Sequence, residues 1–300
     1  MGLWAGGNRA GKDVLHIGVA AANFDDNWMS YMHDGIRDEA ESQGVKLTMV
    51  DAENDLAIQQ AQIDTLITQE VDVIILVPVD QFAIEPLLDA TDAAGIPMVA
   101  VNRIPDEPNL NRLATYVGSN PLDAGIIQME MVAELLGGKG DVVVLWGRIG
   151  HEAQIYRTQG NHDIADQYPG IQIVREASGD WQRKRGFQLM ENWIQSGINI
   201  DAVVSNNDEM ALGAVMALEQ VDMLDDVIVA GIDGTPDALQ AMEKGKLDIT
   251  VFQDAYGQGA GGVQAAIKAA DDEELPKVWG IPSELVVPED VGKYKEIWGM

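Results

Sequence analysis

Polar side chains follow three successive β-branched runs in the second half of the chain, each where the run ends. Asn207 follows Ala-Val-Val, Asp233 follows Val-Ile-Val-Ala, and Gln253 follows Ile-Thr-Val-Phe. The carboxyl ends of parallel strands form the crevice in which open α/β sheets bind ligands. Two amides and a carboxylate together form a mixed set of hydrogen-bond donors and acceptors, which suits hydroxyl groups. Taken singly, Asn207 or Asp208 is also explained as a helix N-cap and Asp233 as a turn residue, but repetition at successive strand ends favours a binding site.

Aromatic and arginine side chains stand at predicted strand-to-helix junctions. Phe24 and Trp28 follow the first predicted strand, Arg103 ends the fourth, Arg157 opens a helix, and Trp181 follows a later strand. Aromatic faces pack against the C–H faces of a sugar ring, while guanidinium groups bind its hydroxyls. We therefore expect these side chains to belong to the site. Ordinary packing of the aromatics and a surface ion pair at Arg157 are the competing explanations.

The elements that position these residues are predicted from periodicity. From Val14 onward, extended apolar runs alternate with amphipathic stretches, which indicates β-α-β units and mainly parallel sheets. The proline-containing segment 104–111 is predicted to be a loop that precedes a change of domain. The alternation then restarts, and two blocks of about one hundred residues predict two doubly wound, Rossmann-like α/β domains.

The composition argues against several classes of protein. Lys and Arg number 19 against 49 Asp and Glu, and the resulting net charge of −30 disfavours nucleic acid or an anionic membrane surface as a partner. No apolar run is long enough to insert into a membrane. Residues 1–13 are interpreted as a leader or tail without the apolar centre of a signal peptide.

Motifs for catalysis, metals and nucleotides are weak or missing in the sequence. The segment 257–262 fits GxGxxG, but it lies late in the chain and lacks the acidic residue at the end of a second strand, so close helix packing is favoured. The four histidines have no metal-ligand spacing, and the chain contains no cysteine. We expect no catalytic residue, no metal and no cofactor.

Three segments resemble the periplasmic sugar-binding proteins of ABC transporters, in the ribose-binding branch of the type I fold. They are the NDEMALGA run at 207–214, the GIDGTPD run at 231–237, and Asp34-Gly35 after the aromatic first loop. The resemblance implies two domains joined by three hinge crossings, with the ligand in a cleft that closes by hinge motion. The implied lobes are 14–116 plus 253–281 and 117–252 plus 282–300.

The resemblance also implies individual ligand contacts. Asp26 falls where the family presents a polar residue, and Met29 falls where ribose binders have a second aromatic. Ala22, Val77 and Asn102 stand where ribose binders have Ser, Asn and Asp, while the first loop is more similar to inositol and rhizopine-type binders. The predicted ligand-binding residues are Phe24, Asp26, Trp28, Met29, Arg103, Arg157, Trp181, Asn207, Asp233 and Gln253.

The function implied is that of an exported, periplasmic, monomeric protein that captures a sugar or cyclic polyol and delivers it to a membrane permease. An inositol-like ligand is favoured, with a pentose or hexose such as ribose, or a short polyol, as the alternative. A lac-repressor-type regulator shares this fold but would need a basic helix-turn-helix, which residues 1–13 cannot supply. A sugar-modifying enzyme would need a catalytic set that does not stand out in the sequence.

Overall fold

A computed structural model describes residues 14–300, and the predicted leader of residues 1–13 lies outside them. The described chain alternates between strands and helices. The strands are β1 (His16–Ala21), β2 (Lys46–Asp51), β3 (Val73–Leu76), β4 (Met98–Val101), β5 (Thr115–Gly118), β6 (Lys139–Trp146), β7 (Gly170–Ser178), β8 (Ala202–Ser205), β9 (Ile228–Ala230), β10 (Thr250–Phe252), β11 (Val278–Gly280) and β12 (Glu284–Val286). The α-helices are α1 (Asn27–Ser42), α2 (Leu56–Thr68), α3 (Glu85–Ala94), α4 (Glu107–Leu110), α5 (Pro121–Leu135), α6 (Glu152–Ala165), α7 (Arg183–Gln195), α8 (Asp208–Glu219), α9 (Pro236–Glu243), α10 (Ala255–Ala270) and α11 (Val291–Ile297).

The described residues divide into two compact units. The first takes the chain up to Ser119 together with Asp254–Pro282, and the second takes Asn120–Gln253 together with Ser283–Met300. The structure differs from the predicted boundaries at the residues next to the crossings. The predicted boundary after residue 116 would divide β5, whereas the first unit extends to Ser119 and contains the whole strand. Gln253 belongs to the second unit and not to the first.

The first unit is built on a six-stranded sheet in the order β11-β5-β4-β3-β1-β2, with every pair parallel. Strands β1, β3 and β4 are buried along their whole length, as expected for a parallel sheet covered on both faces. One face packs Leu66 of α2 and Leu88 of α3 against Ile74 and Leu76. The strand order reverses between β1 and β3, and their carboxyl ends form the position where such sheets bind ligands.

Glycines bring α1 and α10 close together on the other face of the first unit. A Cβ atom added at Gly35 would collide with the carbonyl of Tyr256, and one added at Gly259 would collide with the carbonyl of Met32. Only glycine allows the two backbones to approach this closely. The GxGxxG segment therefore lies inside α10 and serves close helix packing, as predicted from its context.

The second unit has a four-stranded parallel sheet in the order β7-β6-β8-β9, with its order reversing between β6 and β8. Alternate residues of β6 face opposite cores, because Val143 packs with α7 and α8 whereas Val144 packs with α5 and α6. Beyond β9, the chain forms parallel bridges from Ala230 to Ile249 and from Asp233 to Phe252. Strand β10 then pairs antiparallel with β12.

The α/β class with doubly wound parallel sheets in two lobes is confirmed. Two details of the sequence prediction are wrong. The segment 104–111 is not entirely a loop, because it contains α4, in which Pro108 occupies one of the first helical positions where a missing N–H breaks no hydrogen bond. Arg157 does not open a helix, because α6 begins at Glu152 and carries Arg157 in its second turn.

Candidate functional site

The first loop of the first unit presents Phe24, Asp26, Trp28 and Met29 at the carboxyl end of β1. Asp26 is the N-cap of α1, and its Oδ1 accepts a hydrogen bond of 3.0 Å from the backbone N–H of Met29. Trp28 and Met29 are buried in the first helical turn. Asp26 thus caps the helix through one carboxylate oxygen, and its second oxygen is left for other contacts.

The ring of Phe24 packs edge-on against His33 of α1, with 5.0 Å between the ring centroids. His33 is buried, and burial is the largest cause that lowers its pKa from 6.5 to about 4, followed by the nearby charge of Arg37. The imidazole is therefore neutral at physiological pH. His33 supports the loop as a neutral aromatic ring, a role that the sequence analysis did not assign to it.

Arg103 lies just beyond β4 and is buried. Its Nη1 donates to the backbone carbonyl of Pro78 at 2.5 Å and to that of Val79 at 3.0 Å, both beyond the end of β3. The residue before it, Asn102, has a left-handed backbone with φ of 70° and donates from Nδ2 to Gln258 Oε1 at 3.2 Å. The structure thus holds the Arg103 guanidinium at the strand edge where the first loop also lies.

A buried glutamine fixes this edge. The side chain of Gln59 on α2 donates to the carbonyls of Ala20 and Val77, at 3.3 and 2.9 Å, and accepts from the N–H of Val79 at 2.9 Å. It thereby satisfies backbone groups where β1 and β3 end. The sequence analysis missed this residue, because a single glutamine on a helix has the same pattern as a surface position.

Arg157 contacts two other predicted residues in the second unit. Its Nη2 donates to Gln253 Oε1 at 2.6 Å, and its Nη1 lies 3.7 Å from Asp233 Oδ1. Nη1 also donates to the backbone carbonyl of Asn206 at 2.6 Å. Arg157, Asp233 and Gln253 are each 5 % exposed, so this is a buried charge pair and not the surface ion pair that was the alternative for Arg157.

Trp181 lies in the loop between β7 and α7 with a left-handed φ of 66°. Its ring lies directly over Gly147, where an added Cβ atom would collide with it, and the Arg157 guanidinium carbon is 5.8 Å from the ring centroid. His151 packs edge-on at 5.4 Å between centroids. Asp180 bridges Arg148 and Arg185, at 3.1 and 3.2 Å, and so anchors the loop that carries the indole.

Asn207 and Asp208 have separate roles at the start of α8. Asn207 is the N-cap, with Oδ1 accepting from the N–H of Met210 at 3.0 Å and Nδ2 donating to the carbonyl of Trp181 at 3.2 Å. Asp208 is fully buried and accepts from the N–H of Thr235 at 2.8 Å and from the hydroxyl of Thr250 at 2.7 Å. Burial raises the pKa of Asp208 to about 7.

The second unit has its own buried glutamine. Gln128 of α5 donates from Nε2 to the carbonyls of Ser205, Ala230 and Gly231, at 2.8, 3.2 and 3.0 Å, and accepts from Asn161 at 3.1 Å. It joins the carboxyl ends of β8 and β9, and Asn207 and Asp233 follow shortly after these two strands. This residue was also missed, for the same reason as its counterpart in the first unit.

The chemistry available at these strand edges is recognition of hydroxyl groups and apolar ring faces. Guanidinium groups donate, the Asp233 carboxylate accepts, amides do both, and the indoles offer apolar faces. Within residues 14–300, no group of three or more His, Asp or Glu side chains is arranged to hold a metal ion. No helix in the described part of the chain combines the length and apolarity that crossing a membrane requires.

Comparison with known proteins places these features in a family. A family profile described as the periplasmic binding protein domain matches residues 17–274. A putative rhizopine-binding protein of Rhizobium meliloti is 43% identical over 284 residues, which cover 93% of this chain and 92% of that protein. The ribose import binding protein RbsB of Bacillus subtilis is 34% identical over 270 residues, covering 90% of this chain and 85% of that protein.

A solved structure gives a similar result. An ABC transporter solute-binding protein from Bacillus halodurans C-125, crystallised with bound myo-inositol, superposes with a TM-score of 0.91 at 45% sequence identity. The match covers 95% of this chain and 99% of that one.

Proposed function

The chain belongs to the periplasmic binding protein family and is the sugar-binding component of an ABC transporter, and we propose that its ligand is a cyclic polyol of the inositol type. The family and the relatives are substrate-binding components of transporters, so the chain binds its substrate and is not an enzyme. The inositol-bound structure at 45% identity and the rhizopine-binding relative at 43% support the choice of ligand.

The observation that carries the proposal is the buried group formed by Arg157, Gln253 and Asp233 beside the ring of Trp181. A guanidinium and a carboxylate held next to each other can donate to one hydroxyl and accept from its neighbour. A cyclitol carries a hydroxyl on every ring carbon and has an apolar face formed by its axial hydrogens. Trp181 contacts that face while Arg157, Asn207 and Asp233 bind hydroxyls.

The first unit contributes a second set of contacts in this proposal. Trp28 packs on the ring, Asp26 accepts from a hydroxyl through its second oxygen, and Arg103 donates from its position beyond β4. Phe24 and Met29 border the ligand with apolar surface. Gln253, the last residue before the second crossing, contacts the ligand through the amide that Arg157 holds.

We propose that the protein delivers its ligand to a membrane permease. We propose that the protein works as an exported monomer in the periplasm, and that domain closure over the ligand creates the surface that the permease binds. The profile for periplasmic binding proteins and the ribose import relative support this location and role. The net charge of −30 favours a dispersed, soluble monomer.

Ligand identity is tested on refolded protein, since proteins of this kind can retain ligand through purification. The thermal midpoint is measured with myo-inositol, scyllo-inositol, ribose, allose, xylose and xylitol, and every hit is titrated by calorimetry. A micromolar binder at millimolar concentration raises stability by about 4 kcal/mol, which is readily detected. A shift with inositols alone supports the proposal. A shift with ribose or xylitol alone contradicts the cyclitol and keeps sugar binding.

A further inference from the structure

The backbone that carries Asp233 has an unusual conformation. Asp233 has a φ of 129° and Gly234 a φ of 66°. Such angles are rare for a residue with a side chain and persist only where the surrounding structure holds them. The position of the Asp233 carboxylate therefore depends on what holds this turn in place.

The indole of Trp298 contacts the turn directly. Its Nε1–H donates a hydrogen bond of 2.8 Å to the carbonyl of Gly234. The same indole packs edge-on against Phe252, with 6.0 Å between centroids, and Phe252 immediately precedes Gln253. A Cβ atom at Gly234 would lie 2.7 Å from the Phe252 ring, so the turn and the end of β10 are themselves in close contact. One side chain near the C-terminus thus holds both segments that lead to Asp233 and Gln253.

The helix before Trp298 is anchored by contacts that do not involve the indole. Glu284 of β12 accepts from Lys293 at 2.7 Å and from the hydroxyl of Tyr294 at 2.8 Å. Lys295 pairs with Glu243 at the end of α9 at 2.8 Å. Strand β12 in turn pairs with β10. Removing the indole N–H alone is therefore expected to leave α11 in place.

We propose that Trp298 is a positioning residue for ligand binding, which holds the turn of Asp233 and the end of β10 in place. This inference rests on the proposed ligand role of Asp233 and Gln253. Trp298 itself does not touch the ligand in this proposal. It determines where the carboxylate and the hinge amide stand, through a hydrogen bond to Gly234 and packing on Phe252.

The test is Trp298→Phe, which keeps an aromatic ring and removes the hydrogen bond to Gly234. The net contribution of one hydrogen bond predicts that affinity for myo-inositol, measured by calorimetry, falls about three- to tenfold. Trp279→Phe is the matched control, because it makes the same change on β11 of the first unit. We expect that variant to bind as the unmodified protein does. Equal affinity of both variants to the unmodified protein would overturn the proposal.

Two further measurements separate positioning from general stability. Hydrogen exchange of the 231–237 segment without ligand is expected to rise in Trp298→Phe and to stay unchanged in Trp279→Phe. In an Asp233→Asn background, Trp298→Phe should have a smaller effect on affinity than in the unmodified protein, because part of its action is on the Asp233 contact. Full additivity would refute action through Asp233. If Asp233→Asn binds normally, the ligand role of Asp233 is wrong, whereas unchanged exchange of the turn refutes the positioning role of Trp298.

Discussion

In the first unit, Gln59 holds the carboxyl ends of β1 and β3 together, and in the second unit Gln128 does the same for β8 and β9. Both glutamines are fully buried and both reach backbone carbonyls at the edge where the predicted ligand residues emerge. Each unit therefore fixes its strand ends with a side chain of its own. Because both edges are held in the same way, we expect the chemical difference between them to determine how much each contributes to ligand binding.

The arginines at the two edges have different partners. Arg103 donates to the neutral carbonyls of Pro78 and Val79, whereas Arg157 lies between the Gln253 amide and the Asp233 carboxylate. Both guanidinium groups are ionised and donate strong hydrogen bonds, and Arg157 in addition lies 3.7 Å from a carboxylate oxygen of Asp233. The second unit offers an ionised donor and an ionised acceptor side by side, so we expect it to contribute more of the binding free energy.

The largest expected effect compares one carboxylate from each unit. Asp233→Ala should weaken ligand binding by at least about a hundredfold, because hydroxyl donors and Arg157 both lose a charged partner. Asp26→Ala should weaken it by about tenfold, since one of its oxygens is already used to cap α1. Calorimetry with the ligand from the screen measures both affinities.

Asp237→Ala is the control for loss of negative charge, because Asp237 is an exposed carboxylate four residues beyond Asp233 that pairs with Arg183. The Asp237→Ala variant should bind the ligand with the affinity of the unmodified protein. A larger loss in Asp26→Ala than in Asp233→Ala would reverse the proposed division between the units.

A second comparison concerns the two glutamines. Gln59→Leu and Gln128→Leu should each lower the free energy of unfolding by about 1–3 kcal/mol, because buried backbone groups lose their partners. The affinity of Gln128→Leu should fall further than that of Gln59→Leu, since Gln128 holds the strand end that leads to Asp233. Denaturant unfolding and calorimetry measure the two effects.

Gln264→Leu provides the baseline for this pair. Gln264 is exposed on α10 and donates to a surface carboxylate, that of Glu39, so its loss should change stability by less than about 0.5 kcal/mol. If the two buried glutamines were no more costly to replace than Gln264, they would not be fixing the strand ends.

The sequence predicted the fold because parallel sheets covered on both faces leave a strong local pattern of apolar runs and amphipathic helices. The ends of strands were equally predictable from the sequence, which is why Asn207, Asp233 and Gln253 could be named. The local geometry of the site residues could not be predicted. The left-handed backbone of Trp181 depends on contacts with distant segments, and so do the different roles of Asn207, which bonds the carbonyl of Trp181, and Asp208, which accepts from Thr235.

Buried polar residues were the least predictable feature. Gln59 and Gln128 stand in helices most of whose other polar residues are exposed, and nothing in their immediate sequence distinguishes them. Their burial follows only from which sheet edge the helix packs on. Trp298 was missed likewise, because its partner Gly234 is 64 residues away in the chain.

The smallest net effect is expected from pH, because the two units respond in opposite directions. The pKa of His33 is lowered from 6.5 to about 4, so its contribution to stability is complete above pH 6.5 and is lost as pH falls towards 4. The pKa of Asp208 is raised from 3.8 to about 7, so its contribution is complete below pH 3.8 and is lost as pH rises through 7. The two slopes partly cancel in the intact protein. Thermal midpoints between pH 4 and 8 should show the optimum moving to lower pH in His33→Leu and to higher pH in Asp208→Asn. Variants with the unmodified pH profile would show that these buried groups do not set the pH dependence of the two units.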